Sequence, residues 1–195
     1  MKLDALRSPR YRRFWFGSIG STGASQLYFV GLSWLVFEMT GSAAYLGLLG
    51  FSMAVPTIVA TLMGGLLADR ANRGRILLLT SILAGLCLSF LTILDLTESA
   101  QIWQVLILAA FLGLISGFDL PARIAFFPSL IESSQMMSAV ALSSILWQGT
   151  RMILPAIGGL LIALVDTWLL FFLCSIGFGV MGWILIGLQT PDKPD

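Results

Sequence analysis

The chain has 195 residues, of which 57% are apolar and only 11% charged, with a mean hydropathy of +0.93. Soluble domains carry about 25% charged residues, so eleven Lys/Arg and ten Asp/Glu are too few to coat a water-facing globule. This balance excludes a soluble enzyme, a disordered tail and a nucleic-acid binder, and it makes lipid the expected solvent. Charges then punctuate the chain in order. Lys2, Arg7, Arg10, Arg12 and Arg13 precede the first uncharged run. Further long apolar runs follow, and their lengths predict six spans near 14–37, 45–67, 76–94, 102–120, 137–164 and 168–188. A helix of about 20 residues crosses a hydrocarbon core about 30 Å thick. Runs such as Ile76-Leu77-Leu78-Leu79 do not alternate, which argues against barrel strands. The first run exceeds the roughly 7–15 residues of a signal-peptide core and lacks a small-residue cleavage site after it, so it counts as a span.

Basic residues set the expected orientation. The N-terminal group, then Arg70, Arg73 and Arg75 between spans 2 and 3, Arg123 between spans 4 and 5, and Lys193 after span 6 all fall on one side. The opposite loops carry Glu38, Asp95, Glu98 and Asp166. Both termini are therefore expected in the cytoplasm. The fold class expected is all-α: a polytopic membrane protein forming one six-helix transmembrane domain over 1–195. The chain has no His, and Cys87 and Cys174 lie apart inside apolar runs, where they read as small packing residues. No metal site, catalytic residue or cofactor is expected, and hence no enzyme.

The end of span 2 reads Gly64-Gly65-Leu66-Leu67-Ala68-Asp69-Arg70-Ala71-Asn72-Arg73-Gly74-Arg75. Small residues permit close helix packing, an acid follows at the membrane edge, and three arginines complete a tight turn. This ordered string resembles the loop 2–3 signature of the major facilitator superfamily, known as motif A. Gly65, Asp69, Arg70, Arg73 and Arg75 carry the match. Asn72 and Gly74 depart from the pattern, and those departures predict a looser turn. Two other segments resemble the branch that includes the enterobactin exporter and macrolide-efflux pumps. One is Asp119-Leu120-Pro121-Ala122-Arg123; the other runs from Gln148 to Gly159 and includes Pro155, Gly158 and Gly159. There Leu154 replaces the Gly of the related antiporter signature.

The resemblance implies one half of a twelve-span transporter in a bacterial plasma (inner) membrane, working by alternating access. Motif A would serve as a conformational latch, with Asp69 facing a helix end of the other half. The implied partners are membrane lipid, a small-molecule substrate that is drug-like or siderophore-like, and a second six-span half, either another copy or a separate chain. The competing expectation is a truncated or non-transporting membrane protein that acts only as a remnant or assembly partner.

Further residues are candidates from spacing and depth. Asp119 and Arg123 stand at i, i+4, but Pro121 between them predicts a bend, and Asp119 is expected to partner Arg70 or Arg73 in a charge cluster. The bland alternative is two solvated loop charges. Arg151 sits near the middle of span 5, where an Arg costs at least about 2.5 kcal/mol on insertion scales. It is expected to face a central cavity beside Gln26 and Gln148; the alternative is a structural Arg bonded to carbonyls or water. Pro121, Pro155, Gly158 and Gly159 are expected to pack or bend helices. Span 1 has Ala24 where related sequences often carry an acid, so this half offers no obvious coupling carboxylate.

Overall fold

The computed structural model describes residues 4–70 and 72–188, side chains excepted at 66–70. Six long helices account for most of it: α1 Pro9–Thr40, α2 Ala43–Arg70, α3 Arg73–Leu96, α4 Ile102–Phe126, α5 Met136–Leu164 and α6 Thr167–Leu188. No strand occurs among the described residues. Short 3₁₀ turns precede α1 and connect α4 to α5.

Capping residues set the helix ends beyond the apolar runs. Ser8 caps α1 by accepting the Tyr11 N–H at 3.4 Å, and Pro9 occupies the first turn, where its missing N–H costs nothing. Gly41 closes α1 at φ 60, in the left-handed region that glycine adopts without strain, and donates to the Phe37 carbonyl at 2.7 Å. Helix α1 thus runs past both ends of the expected 14–37, because a helix continues into the interface until a cap stops it. Asn72 caps α3 through its Oδ1, which accepts from Gly74 and Arg75 N–H at 3.0 and 3.3 Å. The loosened turn expected at this position is therefore a capped one. Helix α4 passes through Pro121 to Phe126, six residues beyond the expected 120. Pro155 likewise lies inside a continuous α5.

Helices α2 to α6 are each long and apolar enough to cross a membrane. Helix α1 is long enough but less apolar, because Ser18, Ser21, Thr22, Ser25 and Gln26 interrupt it. Ser18, Ser21 and Thr22 are buried, so this polarity faces the interior.

The most extensive helix contacts are α2 on α4, α3 on α4, α3 on α6, α1 on α6 and α1 on α5. Exchanging α1, α2, α3 with α4, α5, α6 maps these five pairs onto themselves, though not the smaller α1–α2 and α5–α6 contacts. That is the three-plus-three relation found within six-span transporter units. Glycines allow the tightest crossings. A Cβ on Gly177 of α6 would stand 2.8 Å from the Gly20 carbonyl oxygen of α1. A Cβ on Gly117 of α4 would stand 2.6 Å from the Thr57 carbonyl of α2, and one turn away Thr57 donates to Gly113 at 2.9 Å. Gly158 packs against Leu27 and Leu170, but Gly159 has nothing within 4 Å of a built Cβ. The packing role expected of Gly159 is corrected accordingly: it is turned from the α1–α5 contact toward an open groove.

Backbone contacts of this kind have no side chain that can move aside. Gly117→Leu should destabilise the bundle by about 2–3 kcal/mol, read as a lowered unfolding midpoint in detergent. Gly159→Leu should leave that midpoint unchanged.

Candidate functional site

One turn of α4 brings Asp119 and Arg123 together. Because α4 does not break at Pro121, Arg123 Nε donates to Asp119 Oδ2 at 3.0 Å and Nη2 donates to Oδ1 at 3.3 Å. Two serines of α1 bring the donations from the guanidinium to four: Nη1 donates to Ser18 Oγ at 3.0 Å and Nη2 to Ser21 Oγ at 3.3 Å. Thr80 of α3 donates to Asp119 Oδ1 at 3.1 Å. The Phe14 ring lies under the guanidinium, 6.0 Å from its centre. Arg123 is only 8% exposed. Removing two charges from water costs several kcal/mol, and only a well-formed, fully bonded geometry offsets it. Here three helices supply that geometry.

This arrangement corrects the expected partner of Asp119. Its described partners are Arg123 and Thr80, whereas Arg73 Nη1 donates to the Ala125 carbonyl at 3.0 Å. That carbonyl lies in the last turn of α4, where unpaired carbonyls and the helix dipole favour a cation. Arg75 is exposed next to the Asn72 cap. The side chains of Asp69 and Arg70 lie outside the described residues. Of the glycines in this stretch, Gly64 faces α4, where a Cβ would stand 3.2 Å from both the Gly117 carbonyl oxygen and Pro121 Cγ. Gly65 has nothing within 4 Å. Gly74 leaves room for the Phe126 ring, 3.2 Å from a built Cβ.

Beside the ion pair is a cavity of about 270 Å³, whose walls include Gln26, Tyr28, Phe29, Ser116, Asp119 and Trp147. Gln26 and Asp119 are thus brought together at one cavity. Gln148 and Arg151 are exposed on α5 and do not line it. The start of α5 and a 3₁₀ turn before it are tied to α1 and its cap. Ser8 Oγ donates to the Leu130 carbonyl at 2.8 Å, the Tyr11 hydroxyl to Ala139 at 3.1 Å, and Trp15 Nε1 to Leu142 at 3.5 Å. Composition and spacing gave no weight to Ser18, Ser21 or Thr80. The three-residue spacing of the two serines on α1 was the available sign.

Deleting one member of a buried pair strands the other. Arg123→Ala should cost about 3–5 kcal/mol, and Arg123→Lys should recover only part of this, since an ammonium lacks the planar fork. Thermal unfolding of the two variants in detergent checks the order.

Comparison with known proteins gives a consistent family. The profile of the family described as transmembrane secretion effector matches residues 2–193. The staphyloferrin A transporter of Staphylococcus aureus is 31% identical over 135 residues, covering 69% of this chain and 34% of its own. The uncharacterized MFS-type transporter YfiS of Bacillus subtilis is 30% identical over 157 residues, covering 80% and 36%. Macrolide efflux protein A of Streptococcus pyogenes is 25% identical over 152 residues, covering 78% and 38%. The chain therefore spans about a third of the length of these relatives in the aligned region. No solved structure matches it significantly.

Proposed function

We propose that this chain, which belongs to the transmembrane secretion effector family of major facilitator transporters, acts as one half of a carrier that exports a small molecule by alternating access. A carrier makes and breaks no covalent bond; it needs a cavity, two arrangements of its walls and a seal between them. The observation that carries the reading is the contrast between buried and uncovered faces. The central helices enclose a cavity with polar and aromatic walls, while α2 and α5 leave long apolar faces bare. Leu62 on α2 is 71% exposed and Met152 on α5 is 85% exposed.

On this reading six helices span the bacterial plasma membrane, α1 included, with both termini in the cytoplasm as the arginines predict. Helix α1 has 32 residues, about 48 Å at the usual rise, and its polar residues point inward. The second six-span half, another copy or a separate chain, covers α2 and α5 and closes the cavity. Arg151, exposed on α5 fifteen residues after Met136 and thirteen before Leu164, then meets an acid of that half or an anionic group of the solute. Asp69, Arg70 and Arg73 at the basic end serve as the latch of one state. The staphyloferrin A transporter and macrolide efflux protein A among the relatives of this chain support a drug-like or siderophore-like solute.

Single cysteines at Leu62 and Met152, in a background lacking Cys87 and Cys174, test the pairing. In native membranes a short bifunctional reagent should give a cross-linked species of twice the chain mass for a homodimer, or of another fixed mass for a separate half. Inside-out vesicles containing the assembly should accumulate a macrolide or another lipophilic drug above control vesicles. Vesicles that neither cross-link nor accumulate any solute would overturn the reading.

A further inference from the structure

Helix α1 is gripped from two sides near its basic end, and the two sides diverge there. On one side the start of α5 accepts from the Tyr11 hydroxyl at Ala139 and from Trp15 Nε1 at Leu142. On the other, α6 packs on Gly17 and Gly20. A Cβ built on Gly17 would stand 2.8 Å from Met181 Sδ and 3.0 Å from Ile184 Cδ1, and one on Gly20 would stand 3.2 Å from the Gly177 carbonyl oxygen. Helices α5 and α6 touch each other far less than either touches α1. Between them α1 shows a bare stripe. Arg12, Phe16 and Ile19 follow one another at four and three residues, on one helix face, and all are exposed, Phe16 to 59%. The next position of the stripe, Gly23, is covered, because Leu154 of α5 crosses there, 2.8 Å from a built Cβ. The result is a crevice floored by α1, open at the basic end and stopped by Leu154. Ser18, Thr22 and Ser25 line the central cavity or a small pocket of about 70 Å³ beside Arg123. They lie roughly 120° round the helix from this stripe, so the crevice is a separate, outward face.

Its length is that of one lipid leaflet. From Arg12 to Gly23 the helix rises about 16 Å, against about 15 Å for half of a hydrocarbon core about 30 Å thick. Its floor is apolar and its mouth is cationic. Arg12 heads the stripe with Arg13 beside it, both exposed and, among the described residues, both without a hydrogen-bond or ion-pair partner. Asp4, the acid nearest to them in sequence, pairs with Arg7 at 3.6 Å. Side chains lean toward the N-terminus of a helix, so both guanidiniums reach back to the headgroups while Phe16 and Ile19 stay at acyl-chain depth. A guanidinium fork matches phosphate oxygens, and two unpaired ones leave an excess of positive charge that a net-neutral headgroup does not balance.

We infer that this crevice holds one anionic phospholipid of the cytoplasmic leaflet, with its phosphate on Arg12 and Arg13 and an acyl chain along Phe16 and Ile19 as far as Leu154. The lipid fills the gap where α5 and α6 diverge. This rests on α1 spanning the membrane with its arginines in the cytoplasm and not on transport, which vesicle accumulation tests separately.

Native mass spectrometry of the full chain in detergent, titrated with dioleoyl phosphatidylglycerol or dioleoyl phosphatidylcholine, reads the lipids bound per chain. The first phosphatidylglycerol should bind at least roughly fivefold tighter than the first phosphatidylcholine, about the factor that one arginine beside an anionic headgroup supplies. Arg12→Gln should remove most of that preference. Arg7→Gln deletes the same charge off the stripe and should leave the preference in place. Ile19→Trp narrows the crevice and should weaken both lipids while keeping their order. Glycerol phosphate, which has the phosphate without the chain, should not displace the bound lipid. Equal affinity for the two lipids overturns the inference. So does an equal loss in Arg7→Gln and Arg12→Gln, which marks diffuse surface charge, and so does unchanged binding in Ile19→Trp. Displacement by glycerol phosphate also overturns it, in favour of a site for a soluble phosphate.

Discussion

The pairing of Arg123 with Asp119 is the constraint from which the basic half of the bundle follows. A guanidinium this deeply buried is tolerated only when its donors are matched. Helix α4 supplies the carboxylate, α1 two hydroxyls, and α3 a further hydroxyl to the carboxylate. Three helices are thereby held at defined rotations. The same demand accounts for part of the lower apolarity of α1 relative to the other five helices. Ser18 and Ser21 lower its hydropathy, and they are the residues that satisfy Arg123. A helix crossing lipid can carry such side chains because they face a polar interior.

Packing away from that cluster follows a different rule. In lipid, apolar side chains gain little by leaving one hydrocarbon for another, so helix pairs depend on close fit. Gly20 against Gly177 and Gly117 against Thr57 let backbones approach, and Thr57 adds a hydrogen bond across the α2–α4 seam. The exchange relation between the two sets of three helices repeats these seams. It leaves α2 and α5 in equivalent places, each with one packed face and one bare face. The carrier reading assigns those bare faces to a second half. The ion pair also divides the interior, with the carboxylate toward the cavity and the guanidinium toward the small pocket.

The sequence by itself determined the class of protein, the number of helices and their approximate places, and the residues of motif A and its relatives. Those properties are local: a run without charge and an ordered string of residue types can each be recognised along one dimension. Where a local rule was applied too strongly it misled. Pro121 suggested that Asp119 would look away from Arg123, yet α4 continues through it and the pair forms, because Pro removes one hydrogen bond and packed neighbours can satisfy the freed groups. Asn72 suggested a loose turn but caps α3.

Only the tertiary structure decided the partners. Ser18 meets Arg123 across 105 positions of sequence, and nothing in either segment encodes the relative rotation of α1 and α4. Gly158 and Gly159 are adjacent and alike in sequence, yet one packs and the other opens on a groove, because successive residues on a helix point about 100° apart. Asp119 turned to Arg123 of its own helix, while Arg73 donates to the Ala125 carbonyl in the last turn of α4. Contacts between segments depend on crossing angles and rotations summed over the whole bundle, and a linear pattern holds no record of that sum.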